Sequence, residues 1–266
     1  MKKENGKWNQ KTGIGMICML VFIVMLVTSI SACGFWGTSW KEEVLLHDGS
    51  KIIIKRYYHL GGKRTLDSRE KRNLDETVSF SMPGTNKEVI WKTDFRDSGP
   101  EPNSLNLLVL DIVNGTPYIA TYPVGCISYN KWKRPNPPYI FFKYEGKDWK
   151  QIPLAEFPPE ISKINVIVGR PPAELQKSFY TVDQVKEQNR NLHTPEYKTI
   201  LRIPITKKGP EGCPEMVTDG QGKWFGIDWF TSQPSYEACM AVCNRYRFGA
   251  EYCPCNKLFN NNGKEK

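Results

Sequence analysis

The amino-acid sequence predicts a mainly β protein, an antiparallel sandwich or open barrel built from hairpins, with one or two short helices and a small disulfide-rich αβ tail. Three observations lead to this prediction. Between residues 43 and 154, four pairs of apolar runs flank short turn dipeptides; helical periodicity is confined to short segments; and five of the eight cysteines lie in the last 54 residues. About ten strands are too few for a complete propeller.

The first 33 residues have the three parts of an export signal. Residues 2–11 are basic, residues 14–30 are apolar and uncharged, and small residues then lead into Cys33. No charge follows before Lys41, whereas a stop-transfer helix is usually followed by a basic cluster. We therefore expect cleavage at the end of this segment. An uncleaved anchor helix and an ordinary signal peptide with an incidental cysteine are the alternatives.

The residues at the end of this segment, Ile30-Ser31-Ala32-Cys33, resemble the lipobox of bacterial lipoproteins. The resemblance implies that residues 1–32 are a removed signal peptide, and that Cys33 receives a diacylglycerol and an acyl group on its new amino terminus. Two or three acyl chains hold a protein on a bilayer, because each buried methylene contributes about 0.8 kcal/mol. It further implies a lipid-anchored cell-envelope protein, at the outer membrane because Gly34 rather than aspartate follows the cysteine.

The mature chain is expected to begin with a tether, residues 33–42, and to continue as a β-rich body, residues 43–206. Four hairpins are predicted in the first part of this body, each from two β-rich runs that flank a dipeptide with turn chemistry. These dipeptides are Asp48-Gly49, Pro83-Gly84, Asn114-Gly115 and Glu145-Gly146. The polar segment 60–75 is predicted to be a long loop.

The second part of the body is not predicted to consist of hairpins. "KINVIVG" at 163–169 and "KTILRIPI" at 198–205 are predicted strands, and "TVDQVKEQNRN" at 181–191 is a predicted helix with Thr181 as its N-cap. Residues 207–222 are rich in glycine, proline and charge. They are predicted to link the body to the cysteine-rich tail, which as a whole covers residues 207–266.

Six cysteines remain once Cys18 leaves with the signal peptide and Cys33 is acylated. An even number in an exported chain predicts disulfide bonds, because that compartment oxidises thiols. The six are Cys126, Cys213, Cys239, Cys243, Cys253 and Cys255. A zinc site would need four thiolates, usually from Cys-x-x-Cys knuckles, and neither spacing in the tail has that form. No metal is therefore predicted.

The spacing of the tail cysteines suggests how they pair. Cys239 and Cys243 share one face of a helix, and Cys253 and Cys255 share one face of an extended segment. A simple chain reversal favours pairing the outer two and the inner two, although the spacing also permits the crossed arrangement. A bond between the remaining cysteines, Cys126 and Cys213, would then tie the tail to the body.

Charge and motifs exclude several classes of function. Without residues 1–32, which carry four lysines and one glutamate, the formal net charge falls from +9 to +6 over 234 residues. The basic residues are scattered, which indicates a solvated surface or attraction to anionic envelope polymers rather than a nucleic-acid partner. No catalytic elbow, metalloprotease helix, phosphate loop or dinucleotide fingerprint is present. No catalytic residue or cofactor is therefore predicted, and His47, His59 and His193 are expected to be satisfied or exposed.

The segment "GCISYNKWKRPNPPY", residues 125–139, places aromatic and basic side chains among three prolines. Proline restricts the backbone, so a stiff loop stapled by Cys126 would lose little entropy on binding a sugar or an acidic group. The predicted ligand-binding residues are Tyr129, Trp132, Lys133, Arg134 and Tyr139. In the alternative interpretation, Trp132 folds back onto the sheet and the prolines only end strands.

The same segment, with "WKEEVLLHDGSKI" and "IFFKYEGKDWKQIPL", resembles an uncharacterised family of proteobacterial exported proteins and lipoproteins. The resemblance runs from Trp40 to Pro204, leaves the tail uncovered, and implies an exported context without an activity. Our first hypothesis is a non-enzymatic envelope lipoprotein that binds a protein or glycan through residues 125–139. The alternatives are an exported hydrolase acting on an envelope polymer, and a chaperone-like or inhibitor-like module formed by the tail.

Overall fold

The computed structural model describes residues 37–61, 72–85, 87–94, 104–205 and 212–260. Cys33 and its lipobox-like neighbours, the signal peptide, and the first part of the predicted linker lie outside the described residues. In the part of the chain that is described, no helix has the length and hydropathy needed to cross a bilayer.

Two antiparallel sheets form the body. The first has the order β4-β3-β2-β1-β9, from strands β1 (Gly37–Leu45), β2 (Lys51–Gly61), β3 (Arg72–Ser81), β4 (Glu88–Asp94) and β9 (Phe179–Tyr180). The second has the order β5-β6-β7-β8, from β5 (Ser104–Val113), β6 (Thr116–Val124), β7 (Ile140–Tyr144) and β8 (Trp149–Ile152). All four predicted hairpins are confirmed, because each predicted dipeptide joins two neighbouring antiparallel strands. Among the described strands, β9 alone pairs in parallel, with β1 at one edge of the first sheet.

The two sheets pack face to face, so the fold is a sandwich. Alternate residues of each strand point inward, as Val44 does in β1 and Ile54 in β2, and they share one core with Leu107 and Leu110 of β5. The outer face of the second sheet carries a further core, which includes Val109 and is covered by irregular chain.

The covering chain corrects two of the predicted strands. Residues 163–169 and 198–205 form only a single bridge, between Lys163 and Thr199. Side-chain hydrogen bonds, rather than a strand ladder, connect these two segments to the rest of the body. The Asn165 amide bonds to the backbone of Leu45 and Leu110. The Arg202 guanidinium donates to four carbonyls between Leu154 and Ile161. Of the apolar residues that suggested strands, Val166, Ile167 and Ile200 are buried as coil, whereas Ile203 and Ile205 are exposed.

The boundaries of β1, β2 and β3 also differ from the prediction. Strand β1 begins at Gly37, so residues 37–42 belong to the sheet and not to the tether. Within this part of β1, Glu42 points inward and is fully buried against Arg56. Likewise β2 continues to Gly61 and β3 begins at Arg72. Both strands therefore enter the segment 60–75, whose polarity predicted a long loop.

Two short helices belong to the body, α1 (Gly125–Lys131) and α2 (Val182–Gln188). The predicted cap of α2 is confirmed, because the Thr181 hydroxyl accepts from the Gln184 backbone N–H and the Gln184 side chain accepts from the Thr181 N–H. This capping box begins the helix directly after β9.

The tail combines a small hairpin with three helices. Strands β10 (Met216–Thr218) and β11 (Trp224–Gly226) pair, followed by α3 (Asp228–Thr231), α4 (Tyr236–Tyr246) and α5 (Cys255–Asn260). Phe230 and four cysteines form its core. The second cysteine pair lies at a turn and at the start of α5, and not in the extended segment that its spacing suggested.

Candidate functional site

A cavity of about 580 Å³ opens at the end of the sandwich where the β1–β2 turn lies. Its walls come from the end of β1, from Asp111 of β5, from the coil around residues 160–165, and from α2 with residues 197–198. Ligand sites are typically concave, about 300–1,000 Å³ in volume, with apolar walls and a few polar groups. We call this feature the His47 cavity, after its central titratable residue.

His47 and Asp111 form a hydrogen-bonded pair on the cavity wall. The Nδ1 atom of His47 lies 2.8 Å from Oδ1 of Asp111, and the His47 backbone N–H donates to Oδ2 at 2.9 Å. The Ile112 N–H donates to Oδ1 at 2.7 Å. Asp111 is nearly fully buried, whereas the His47 side chain is 23% exposed. A buried carboxylate therefore holds the imidazole in one orientation.

The environment of His47 favours its protonated form. Its hydrogen bond to Asp111 raises the pKa above the ordinary value of 6.5, partial burial opposes this, and the negative charges of Asp111, Asp48 and Glu160 raise it further. Three exposed lysines, Lys163, Lys186 and Lys198, also line the cavity.

Two asparagines that line the cavity use their side-chain amides for hydrogen bonds to the backbone, so these amides are not available to a ligand. The Asn165 amide is bonded to the backbone of Leu45 and Leu110, which joins the two sheets. The Asn189 amide donates to Val166 O at 2.7 Å and accepts from Val168 N at 3.0 Å, which fixes the end of α2. With these amides occupied, His47 and the lysines are the groups best placed to meet a ligand.

The residues predicted to bind a ligand do not form an exposed aromatic surface. Residues 125–131 are helix α1, and Tyr129 and Tyr139 are buried. The Tyr139 hydroxyl lies 3.0 Å from the carbonyls of Glu196 and Thr199. Trp132 packs edge-to-face on Phe142, with ring centroids 6.2 Å apart, and contacts the main core. The structure thus favours the alternative in which Trp132 folds back onto the sheet.

The polar groups of this segment contact the tail of the same chain. The Arg134 guanidinium donates to Pro214 O at 2.9 Å and to Cys213 O at 3.0 Å, and it lies 4.9 Å from the centre of the Tyr129 ring. Asn130 donates to Pro214 O at 3.0 Å and accepts from Met216 N at 2.9 Å. Lys133, the remaining predicted site residue, is exposed. We call Asn130, Arg134 and the Cys126–Cys213 bond the clasp.

All six cysteines predicted to form disulfides are paired. The bonds are Cys126–Cys213, Cys239–Cys255 and Cys243–Cys253, with Cα atoms 5.1, 5.8 and 5.8 Å apart. The favoured pairing of the tail is thus present, and the crossed one is not. Three of these sulfurs, from Cys243, Cys253 and Cys255, lie within 4.8 Å of one another, but a disulfide sulfur is not a thiolate metal ligand.

A second polar cluster is fully buried on the inward face of the first sheet. Arg56 is fully buried between Glu42 and Glu76, and its Nε donates to Glu76 at 2.6 Å. The Trp40 and Tyr58 rings flank its guanidinium, with centroids 5.1 and 5.7 Å away. Because solvent does not reach these groups, we assign this cluster to the scaffold.

Sequence reasoning missed the His47 cavity, because its parts come from five separate segments. His47 and Asp111 are 64 residues apart, one in the β1–β2 turn and the other in β5 of the second sheet, so no local spacing connects them. The available signal was weak: a histidine beside a hairpin turn and an aspartate in the otherwise apolar run of β5.

No protein-family model, curated protein or solved structure matches this chain. Its function is therefore argued from its own residues.

Proposed function

We propose that this protein is an exported lipoprotein, anchored by acylated Cys33 in the outer membrane of a bacterial envelope, that binds a small ligand without enzymatic turnover. The His47 cavity is its binding site. The single observation that carries the binding function is this cavity of about 580 Å³, in which an oriented imidazole and lysines meet apolar wall residues.

Two features support the envelope location. The lipobox-like residues 30–33 stand at the end of an export signal, and the described part of the chain contains three disulfides, which persist in oxidising compartments.

The location is tested by Cys33→Ser. This variant should lose labelling by a palmitate analogue and accumulate as unprocessed precursor, because the acceptor thiol is gone. Cys18→Ser, whose cysteine lies in the signal peptide, is the matched control and should be labelled and processed normally. Normal processing and labelling of Cys33→Ser would contradict the proposed anchor.

The binding function is tested by filling the cavity. Ser162 is exposed on the cavity wall, so Ser162→Trp should block the cavity and preserve the fold, and Ser232→Trp places the same side chain on the exposed surface of the tail. Native mass spectrometry of protein extracted from envelopes should detect a bound small molecule in wild type and Ser232→Trp. If Ser162→Trp retains this molecule, or wild type carries none, the binding function is contradicted.

A second candidate is a hydrolase acting on an envelope polymer. It is favoured by the His47–Asp111 pair, because an imidazole oriented by a buried carboxylate is the arrangement of a general base. Breakdown of isolated envelope polymer by wild type, abolished in His47→Gln, would favour this function over simple binding.

The third hypothesis, a function of the tail alone, is less well supported. The tail has its own core, but the clasp joins it to residues 126–134 of the body through a disulfide and four hydrogen bonds.

A further inference from the structure

We infer that the ligand of the His47 cavity is a small organic anion, whose carboxylate or phosphate group is received by Nε2 of His47 and by the lysines around it. This inference rests on the proposed function, since it names the ligand class of the same cavity.

The hydrogen bonds of Asp111 determine which nitrogen of His47 can meet a ligand. Asp111 already accepts the backbone N–H groups of His47 and Ile112, which is the environment of an ionised carboxylate. Its bond with Nδ1 therefore requires the proton on Nδ1. The other ring nitrogen, Nε2, has no hydrogen-bond partner among the described residues. In the protonated imidazole Nε2 is a donor, which suits an anionic oxygen.

The charges around His47 favour an anion over a cation. Asp48 in the turn, Asp111 in β5 and Glu160 in the covering coil attract its proton. In the cavity lining itself, Lys186 is ion-paired with Asp183 and protonated His47 is paired with Asp111, which leaves Lys163 and Lys198 against the single carboxylate of Glu160. A bound cation would face this surplus of positive charge, whereas an anion is attracted to it.

The rest of the lining indicates an apolar body on this anion. Leu45, Ile164 and Val182 line the same space, and a cavity of about 580 Å³ exceeds what a bare inorganic ion fills. An organic carboxylate or a phosphate monoester combines both properties.

This ligand class predicts that binding depends on pH through His47. An anion that prefers the imidazolium must raise the pKa of His47 when it binds, because binding and protonation are linked. Above the pKa of the free protein, affinity should fall by about tenfold for each pH unit if only the protonated form binds.

The test is an NMR titration of the three histidine rings in the detergent-solubilised mature protein. The probes are benzoate, inorganic phosphate and, as a neutral analogue of benzoate, benzamide. At a concentration tenfold above its dissociation constant, a binding anion should raise the titration midpoint of His47 by about one pH unit. His59 and His193 should not move, and benzamide should leave His47 unchanged. Benzoate and phosphate as separate arms distinguish a carboxylate ligand from a phosphate ligand.

Charge variants test the contribution of the lysines. Lys198→Met should weaken anion binding severalfold, whereas Lys177→Met, an exposed lysine outside the cavity lining, should not. His47→Gln should abolish the pH dependence of binding.

The outcomes separate this inference from the proposed function. If neither anion moves His47, or if all three histidines move together, the anion inference is overturned. If Ser162→Trp nevertheless loses the co-purified molecule, the cavity remains a binding site for a ligand of another class. If Ser162→Trp retains that molecule, the proposed binding function itself fails.

Discussion

Arg56 supplies the positive charge that balances the buried carboxyl groups of Glu42 and Glu76 on the inward face of the first sheet. Its guanidinium is fully buried and bonds to Glu76, Glu42, the Ile167 carbonyl and the Tyr58 hydroxyl. Burial raises the pKa of Glu42 and of Glu76, and the positive charge of Arg56 opposes this rise. Removing the cation would leave two buried carboxyl groups without their partner, which is among the most destabilising changes that a core can undergo.

We predict that Arg56→Met lowers the free energy of unfolding by about 3–5 kcal/mol, measured by urea denaturation at pH 7. Lys55→Met changes the adjacent, exposed residue of the same strand in the same way and should alter stability by less than about 0.5 kcal/mol. A loss below about 1 kcal/mol in Arg56→Met would show that the cluster does not depend on this charge.

The loss of stability in Arg56→Met should depend on pH, and the direction of this dependence follows from the two glutamates. For a carboxyl whose pKa is raised by folding, the stabilisation is complete below its unfolded value, 4.5 for glutamate, and is lost as the pH rises through the folded value. Without Arg56 the pKa values of Glu42 and Glu76 should rise further. The deficit of Arg56→Met should therefore shrink when the pH is lowered from 7 towards 5, and a constant deficit would argue against buried charge as its cause.

At the scale of elements, local chemistry predicted the hairpins and α2 well. Turn dipeptides such as Asn114-Gly115 direct chain reversal through backbone preference alone, and Thr181 caps α2 through residues only three positions away. The strands predicted at 163–169 and 198–205 were wrong, because backbone groups of both segments bond to side chains elsewhere: the Ile167 N–H donates to Glu42, and the Leu201 N–H donates to the Tyr139 hydroxyl.

The cap of α2 provides an element-scale prediction. Thr181→Ala should lower the free energy of unfolding by about 1 kcal/mol in thermal or urea denaturation, since the first turn loses a hydrogen-bond acceptor. Thr231→Ala is the control, because Thr231 is exposed and has no side-chain hydrogen bond among the described residues. Equal effects of the two changes would contradict a role for the capping box.

At the scale of the whole molecule, the clasp joins body and tail. The Cys126–Cys213 bond spans 87 residues of sequence, and Arg134 donates to the carbonyls of Cys213 and Pro214. Both Lys133 and Arg134 adopt left-handed φ angles, 61° and 53°, which non-glycine residues rarely do. The interface with the tail thus offsets a local conformational cost.

Removal of this disulfide should separate the two parts. We predict that protease cleavage between residues 205 and 212 releases the tail from a Cys126→Ser/Cys213→Ser variant, as judged by non-reducing gel electrophoresis. In wild type the cut fragments should stay joined until reduced. The released tail should keep two disulfides by mass spectrometry, because both lie within its own core. A tail without these bonds would contradict its independent core.

The sequence by itself determined the local features of this protein: the hairpin turns, the cap of α2, and tail cysteines whose spacing favoured the two bonds of the tail. These depend on residues near one another along the chain. Only the tertiary structure decided that Trp132 faces inward, that Arg134 binds the tail, and that His47 meets Asp111. Each of these contacts joins distant segments through the packing of whole sheets, and the pattern of neighbouring residues does not encode that packing locally.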